Sequence, residues 1–266
     1  MTPTLHAISG RLARSLVVGL LMTGASAPLY ARDQLTLCFE NKMVLPWRTP
    51  EGEGLNFEML RRVESKAEVS FTYLILPWKR CLAKLKANEV DGAFTVSFSP
   101  ERRQYGVFPG GEQADIKKRM HYASYFLVRK KGAPLDWDGK QLSHVTGKIA
   151  FQLGYSVGEQ LRELNVAVDE TSDTPYNVGR KILAGRVAGA AMMDSDAAVL
   201  MHGPLGAQLD LLNTPLVEKS YYLMLSNALV KSRPALADRV WKGIEEVRNG
   251  KEYGRLIEAT GFEQAR

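Results

Sequence analysis

Residues 91–103, DGAFTVSFSPERR, carry an apolar run into a Ser-Pro-Glu-Arg-Arg segment. Ser99 is a residue type that caps helices, and Pro100 suits the first helical position, where a missing N–H costs nothing. An arginine in the first turn of such a helix can fold back over the strand end and present a planar pair of donors to a carboxylate, reinforced by free N–H groups at the helix start. Arg102 and Arg103 lie about 100° apart around a helix, so the two cannot share that task. The alternative for either is a solvated surface arginine.

A second anion-friendly segment is FQLGYSVGEQL (151–161), a strand, a turn at Gly154, then Ser156 and Glu159 at capping-box spacing. Its glycine spacing and the absence of a following Lys-Ser or Lys-Thr pair exclude a nucleotide phosphate loop. Asp194 ends the apolar stretch VAGAAMMD, where a carboxylate could meet a ligand ammonium. Asp196 competes for that role, and either could simply cap the helix that follows. Trp47 and Trp78 each follow a proline at the end of a strand region, where an indole face could cover an apolar or cationic ligand body or belong to the core. The histidines, His6, His121, His144 and His202, are isolated, and no metal-ligand spacing, nucleophile elbow or paired-cysteine motif occurs. The sequence therefore points to no metal and no cofactor.

The elements that position these groups alternate. LTLCFE, SFTYLIL and VDGAFTVSF read as strands; NFEMLRRVESKA and PWKRCLAKLKAN read as amphipathic helices between them. Apolar strands alternating with helices predict an α/β fold of mainly parallel sheets with helices on both faces. LKANEVDGAF (85–94) is echoed by ILAGRVAGAA (182–191) at an offset of 97, and SYFLV (124–128) by SYYLM (220–224) at an offset of 96. The echoes predict two similar lobes joined by two crossover strands: 32–125 with 224–266 as the first, 126–223 as the second. Ligands collect in the cleft between such lobes, at the carboxyl ends of their strands.

The N-terminus carries Arg11 and Arg14 ahead of the apolar run Leu16–Met22, then small residues up to Ala31, the pattern of a secretory signal over 1–31. No cysteine follows that run, so lipid attachment is not expected, and no later stretch nears the ~18 apolar residues of a membrane span. Export favours a bridge between the two cysteines, Cys38 and Cys81. The formal charge of +6 falls to +4 once Arg11 and Arg14 are subtracted, too small and too scattered a surplus for nucleic acid.

From about Leu35 to Phe262 the chain resembles the family 3 solute-binding proteins, periplasmic receptors for polar amino acids and similar solutes. PWRTPEGEGLNFEML, VDGAFTVSFSPERRQYGVF and LAGRVAGAAMMDSDAAVLM are similar in order to three of that family's segments. The resemblance implies a two-lobed fold that closes on its ligand. It implies Arg102 as the partner of a ligand α-carboxylate, with Ser97 and Thr95 as the polar positions before it, and Asp194 as the acceptor of an α-ammonium. Trp78 falls where an aromatic wall is common, and Tyr155 and Ser156 where second-lobe N–H groups meet the carboxylate. Departures lie in PGGEQADIKKRMHYASYF, longer and more charged than the family's usual segment, and in PWKRCL. The expectation is a monomeric periplasmic receptor, not an enzyme, that presents a small ligand to an inner-membrane permease. The rivals are an exported cyclohexadienyl-dehydratase-like enzyme, with Glu40 as its proton-transfer carboxylate, and a sensory module for a membrane signalling protein. If the signal reading holds, intact mass of the protein recovered after export should correspond to a chain starting at Arg32; a mass retaining 1–31 would overturn it.

Overall fold

The structure, a computed structural model, describes residues 1, 2, 4, 32–172 and 174–261, and the described residues from 32 onward form one compact unit. Apart from residues 1, 2 and 4, the expected signal segment lies outside the described residues. β1 (Asp33–Glu40), β2 (Val69–Leu76) and β3 (Gly92–Ser97) are joined by α1 (Leu55–Ala67) and α2 (Trp78–Lys86). The apolar stripe of α1, with Phe57, Leu60 and Val63 buried, packs on the sheet, and its Glu68 closes the helix in the left-handed region at φ 54°.

β4 (His121–Lys130) is followed by a hairpin of β5 (Asp136–Trp137) and β6 (Leu142–Ser143). The second strand–helix set follows: β7 (Ile149–Gln152), α3 (Val157–Glu163), β8 (Val168–Ser172), α4 (Pro175–Leu183), β9 (Gly189–Met193) and α5 (Asp194–His202). β10 (Leu209–Leu211), β11 (Val217–Leu225), α6 (Asn227–Ser232), α7 (Pro234–Arg248) and α8 (Lys251–Ala259) complete the chain.

One nine-stranded sheet runs β2-β1-β3-β11-β4-β9-β7-β8, with β10 paired to β4. The flanking sets are parallel: β1 with β2 and β3, β7 with β8 and β9. The centre is not. β11 pairs antiparallel with β3 and with β4, and β4 antiparallel with β9. The expectation of mainly parallel sheets is therefore corrected. β4 carries the chain from one parallel set to the other and β11 carries it back, so the two run in opposite directions side by side and antiparallel pairing follows.

The offset of 97 is structural. At Ala87 and Ala184 the helices end in the same hydrogen-bond pattern: Glu89 N–H reaches Lys84 O, and Arg186 N–H reaches Lys181 O. Asn88 and Gly185, at φ 59° and 68°, occupy the left-handed position this closure requires. Gly92 and Gly189 then start β3 and β9; a Cβ on either would sit within about 3 Å of a neighbouring strand's carbonyl, Met224 O at 3.1 Å and Val128 O at 2.7 Å. These two glycines are fixed by close approach.

The C-terminal helices return to the first strand–helix set. α7 packs along α1, Trp241 Nε1 donates to Leu223 O at 2.9 Å, and Tyr253 OH donates to Leu55 O at 3.1 Å. Cys38 in β1 and Cys81 in α2 are bridged, with Cα atoms 5.6 Å apart and both side chains buried. Closing a loop of 43 residues should stabilise the fold by ~4 kcal/mol in the chain-entropy picture. The Cys38→Ser/Cys81→Ser variant should lose roughly 10 °C in Tm by calorimetry, and reductant should lower the wild type but not the variant; an unchanged Tm would remove the bridge from the stability of the fold.

Candidate ligand-binding site

The site begins at an irregularity in β3. Its ladder with β11 slips between Tyr222 and Met224, and Thr95 sits there at φ 59°, a region that β-branched residues avoid at a cost of about 1–3 kcal/mol. Thr95 and Ser97 are buried and line a small cavity together with Glu40, Arg48, Trp78, Arg102, Tyr125, Tyr155, Met193 and Tyr221. The segment after Ser99 is a five-residue 3-10 helix, Pro100–Gln104, rather than the expected α-helix, and Ser99 makes no side-chain cap. Its hydroxyl instead donates to Glu159 Oε1 at 2.9 Å.

That tight turn places Arg102, only 6% exposed, at the cavity, while Arg103 stays outside and reaches the carbonyls of Pro100 and Glu112. Arg102 Nη1 donates to Ser97 O (3.1 Å) and Ser97 Oγ (2.6 Å), and Nη2 donates to Gly154 O (2.8 Å). Its guanidinium lies 5.6 Å from the Trp78 ring centre. All these partners are neutral, and among the described residues Arg102 forms no ion pair.

The second strand–helix set closes over it. The capping box expected at Ser156 and Glu159 does not form; Ser156 has helical angles and caps nothing. Ser156 Oγ and Ser97 Oγ share a hydrogen bond of 2.8 Å, and Tyr155 OH donates to Glu40 Oε2 at 2.9 Å. Lys42, on the loop after β1, donates to Gln152 Oε1 and, at 2.9 Å, to Asp196 Oδ2, with its ammonium 5.5 Å from the Tyr155 ring centre. Gly154, at φ 79°, brings its carbonyl to Arg102 while the glycine Cα faces Trp78 and Lys79.

Of the residues expected at a site, Arg102, Thr95, Ser97, Trp78 and Tyr155 line one cavity, and Ser156 joins Arg102 and Gly154 in an adjoining one. Trp47 is placed elsewhere: fully buried, it stacks on His121 at 4.0 Å in the core, and His121 stacks in turn on Tyr221. Asp194 is not among the cavity-lining residues; its oxygens accept from the backbone N–H groups of Ser195 (2.7 Å) and Ser124 (3.3 Å).

Residues that sequence reasoning misses are Arg48, whose Nη2 lies 2.5 Å from Glu40 Oε2, and Lys42, Gln152, Tyr125 and Tyr221. Arg48 and Lys42 fall in an irregular loop with no periodic signal. Tyr125 and Tyr221 do carry one: they are equivalent positions in the echo at offset 96, and their hydroxyls meet at 3.0 Å. Burial pushes the Tyr125 and Tyr155 phenols well up and Tyr221 up to about 12, so all three remain protonated at neutral pH. Burial, with Arg48 nearby, pushes His121 well down and keeps it neutral.

No family model matches the chain, and no curated protein matches it in sequence. Solved structures do match in shape. The GluR0 ligand-binding core from Nostoc punctiforme in complex with L-glutamate aligns at TM-score 0.63 and 12% identity, covering 85% of this chain and 98% of that one. An arginine-specific periplasmic binding protein of Salmonella typhimurium aligns at 0.62 and 14%, covering 85% and 98%. A histidine kinase sensor domain with similarity to periplasmic binding proteins aligns at 0.66 and 14%, covering 86% and 96%. The chain thus has the fold of the two-lobed periplasmic binding proteins. At these identities the likeness is one of fold.

Burial raises the carboxyl of Asp194, against the two backbone N–H bonds that lower it, and raises Asp196 against Lys42. Between the ordinary carboxylate value near ~3.9 and the raised native one, the folded protein holds protons that the unfolded chain has lost. Each group's contribution to stability is therefore greatest below the ordinary value and declines as pH climbs through the raised one. Asp194→Asn should flatten the dependence of Tm on pH over that window; an unaltered profile would show that Asp194 titrates as an ordinary carboxylate.

Proposed function

We propose that this chain is an exported receptor that closes on a small carboxylate-bearing solute, an amino acid or related compound, between the lobes 32–125 with 224–266 and 126–223. The observation that carries this is Arg102: a guanidinium with 6% exposure, held by neutral acceptors at the cavity wall. A buried charge without a counter-ion is costly, and a ligand carboxylate accepting from both sides of the guanidinium would offset that cost. Ser97, Ser156, Tyr155 and Gly154 come from both strand–helix sets, so a ligand at Arg102 would meet groups from both only when the cleft is closed.

Delivery to an inner-membrane importer is the role proposed for the closed form. The likeness to a histidine kinase sensor domain supports a second reading, in which the closed form signals instead. Binding rather than catalysis fits the state of Glu40: it is engaged by Arg48 and by Tyr155, which leaves the one candidate proton-transfer carboxylate serving as an ion-pair and hydrogen-bond acceptor.

Arg102→Ala should weaken binding of any carboxylate ligand by about 2–5 kcal/mol, or ~30- to several-thousand-fold, whereas Arg103→Ala should change it little. Arg102→Lys should recover little, because an ammonium does not reproduce the planar fork. A thermal-shift screen of amino acids and organic acids, followed by calorimetry on these variants, tests the reading. Equal losses at both arginines, or none at Arg102, would sink it.

A further inference from the structure

We infer that Lys42 fills this protein's own ammonium site, and that the ligand is a carboxylate with a hydroxyl or oxo group where an amino acid has its ammonium. The inference rests on the reading of Arg102 as the carboxylate anchor. Three groups around Lys42 Nζ would suit a ligand ammonium: the buried carboxylate of Asp196 at 2.9 Å, the amide oxygen of Gln152, and the Tyr155 ring at 5.5 Å. All belong to the second strand–helix set, and the cation that occupies them comes from the chain itself, on the loop after β1. Glu40, the acid that lines the cavity itself, is paired with Arg48 at 2.5 Å and accepts from Tyr155.

Each of these two carboxylates therefore already faces a protein cation; Asp194 and Glu159 lie outside the lining of this cavity, the first bonded to the backbone N–H groups of Ser195 and Ser124 and the second to the Ser99 hydroxyl, and Arg102 pairs with no acid among the described residues. A zwitterion would compensate Arg102 but would bring an ammonium to acids already neutralised, leaving it buried and unpaired. A hydroxy or oxo acid compensates Arg102 and brings no second charge.

An independent observation points the same way. Arg48 Nε and Gln152 Nε2 are buried donors that reach no acceptor. The Tyr155 hydroxyl hydrogen is given to Glu40, but Tyr125 and Tyr221 share one bond between two hydroxyls, which leaves a further hydroxyl hydrogen whose alternative acceptor is the weak Met193 Sδ. A hydroxyl or oxo oxygen can accept from such groups; an ammonium has no lone pair with which to do so.

The test is calorimetry on matched sets that differ at this one substituent: L-alanine, L-lactate and pyruvate; L-aspartate and L-malate; L-glutamate and 2-oxoglutarate; L-phenylalanine, L-phenyllactate and phenylpyruvate. Wild type should bind one of the deaminated acids at least ~30-fold more tightly than its amino counterpart, the scale set by burying an unpaired charge. In Lys42→Met, which keeps an apolar stem but vacates the site, that ratio should shrink by at least ~10-fold as Asp196 becomes available to the ligand. An amino acid that binds wild type as tightly as its matched acid overturns the inference while leaving the carboxylate reading intact. An unchanged ratio in folded Lys42→Met overturns it as well. If no carboxylate binds, or Arg102→Ala binds as wild type does, the reading of Arg102 fails and this inference fails with it. The wild-type comparison needs no variant, so if Lys42→Met did not fold, the matched sets alone would decide.

Discussion

Much of the cleft's architecture follows from one constraint: a guanidinium that cannot lose its charge is held at 6% exposure with neutral acceptors only. Water would solvate it far better than Ser97 and Gly154 do, so the arrangement persists only because surrounding structure fixes it. The slip in the β3–β11 ladder, the positive φ of Thr95 and the 3-10 turn are what bring the chain round sharply enough for Arg102 to return to its own strand end. Strain at Thr95 is thus part of how the charge is presented, as is common where a site over-determines its backbone.

The second layer of organisation is electrostatic pairing around that charge. Glu40 with Arg48, and Asp196 with Lys42, are ion pairs of low exposure in which the acids and bases come from different segments. The Lys42 pair and the Tyr155–Glu40 bond also link the two strand–helix sets, so the same contacts that neutralise these charges join one set to the other. Buried pairs of this kind add little net stability, because desolvation offsets their attraction. Their value is positional: they leave one charge to be compensated and define where.

How much of this can be read from the chain depends on whether a residue sits in a periodic segment. The strands and helices up to β3, and the paired echoes, follow from apolar periodicity, and Arg102 stands out by its place after Ser-Pro. The mixed direction of the sheet is not legible, because a crossing strand such as SYFLV has the same apolar alternation whichever way its neighbours run. Local signals also mislead where tertiary contacts win: Ser99 and Glu159 read as helix caps on separate elements, and in the structure they bond to each other. Trp47 looks equivalent to Trp78 by its Pro-Trp context, yet stacking on His121 draws it into the core. Lys42 and Arg48 carry no such signal, since an irregular loop gives no spacing from which direction can be inferred.

The two crossing strands impose a mechanical consequence. β4 and β11 are hydrogen-bonded to each other from His121 to Tyr125, and each is also bonded to a flanking set. A two-stranded ribbon resists stretching and sliding, because either would break ladder bonds, but twists readily about its long axis. For the closure proposed above, the soft coordinate would then be torsion of this ribbon, a single degree of freedom. Contacts made by different elements of the two sets, such as Ser99 with Glu159 and Lys42 with Asp196, would be geared to the same rotation and would engage or release together rather than one at a time.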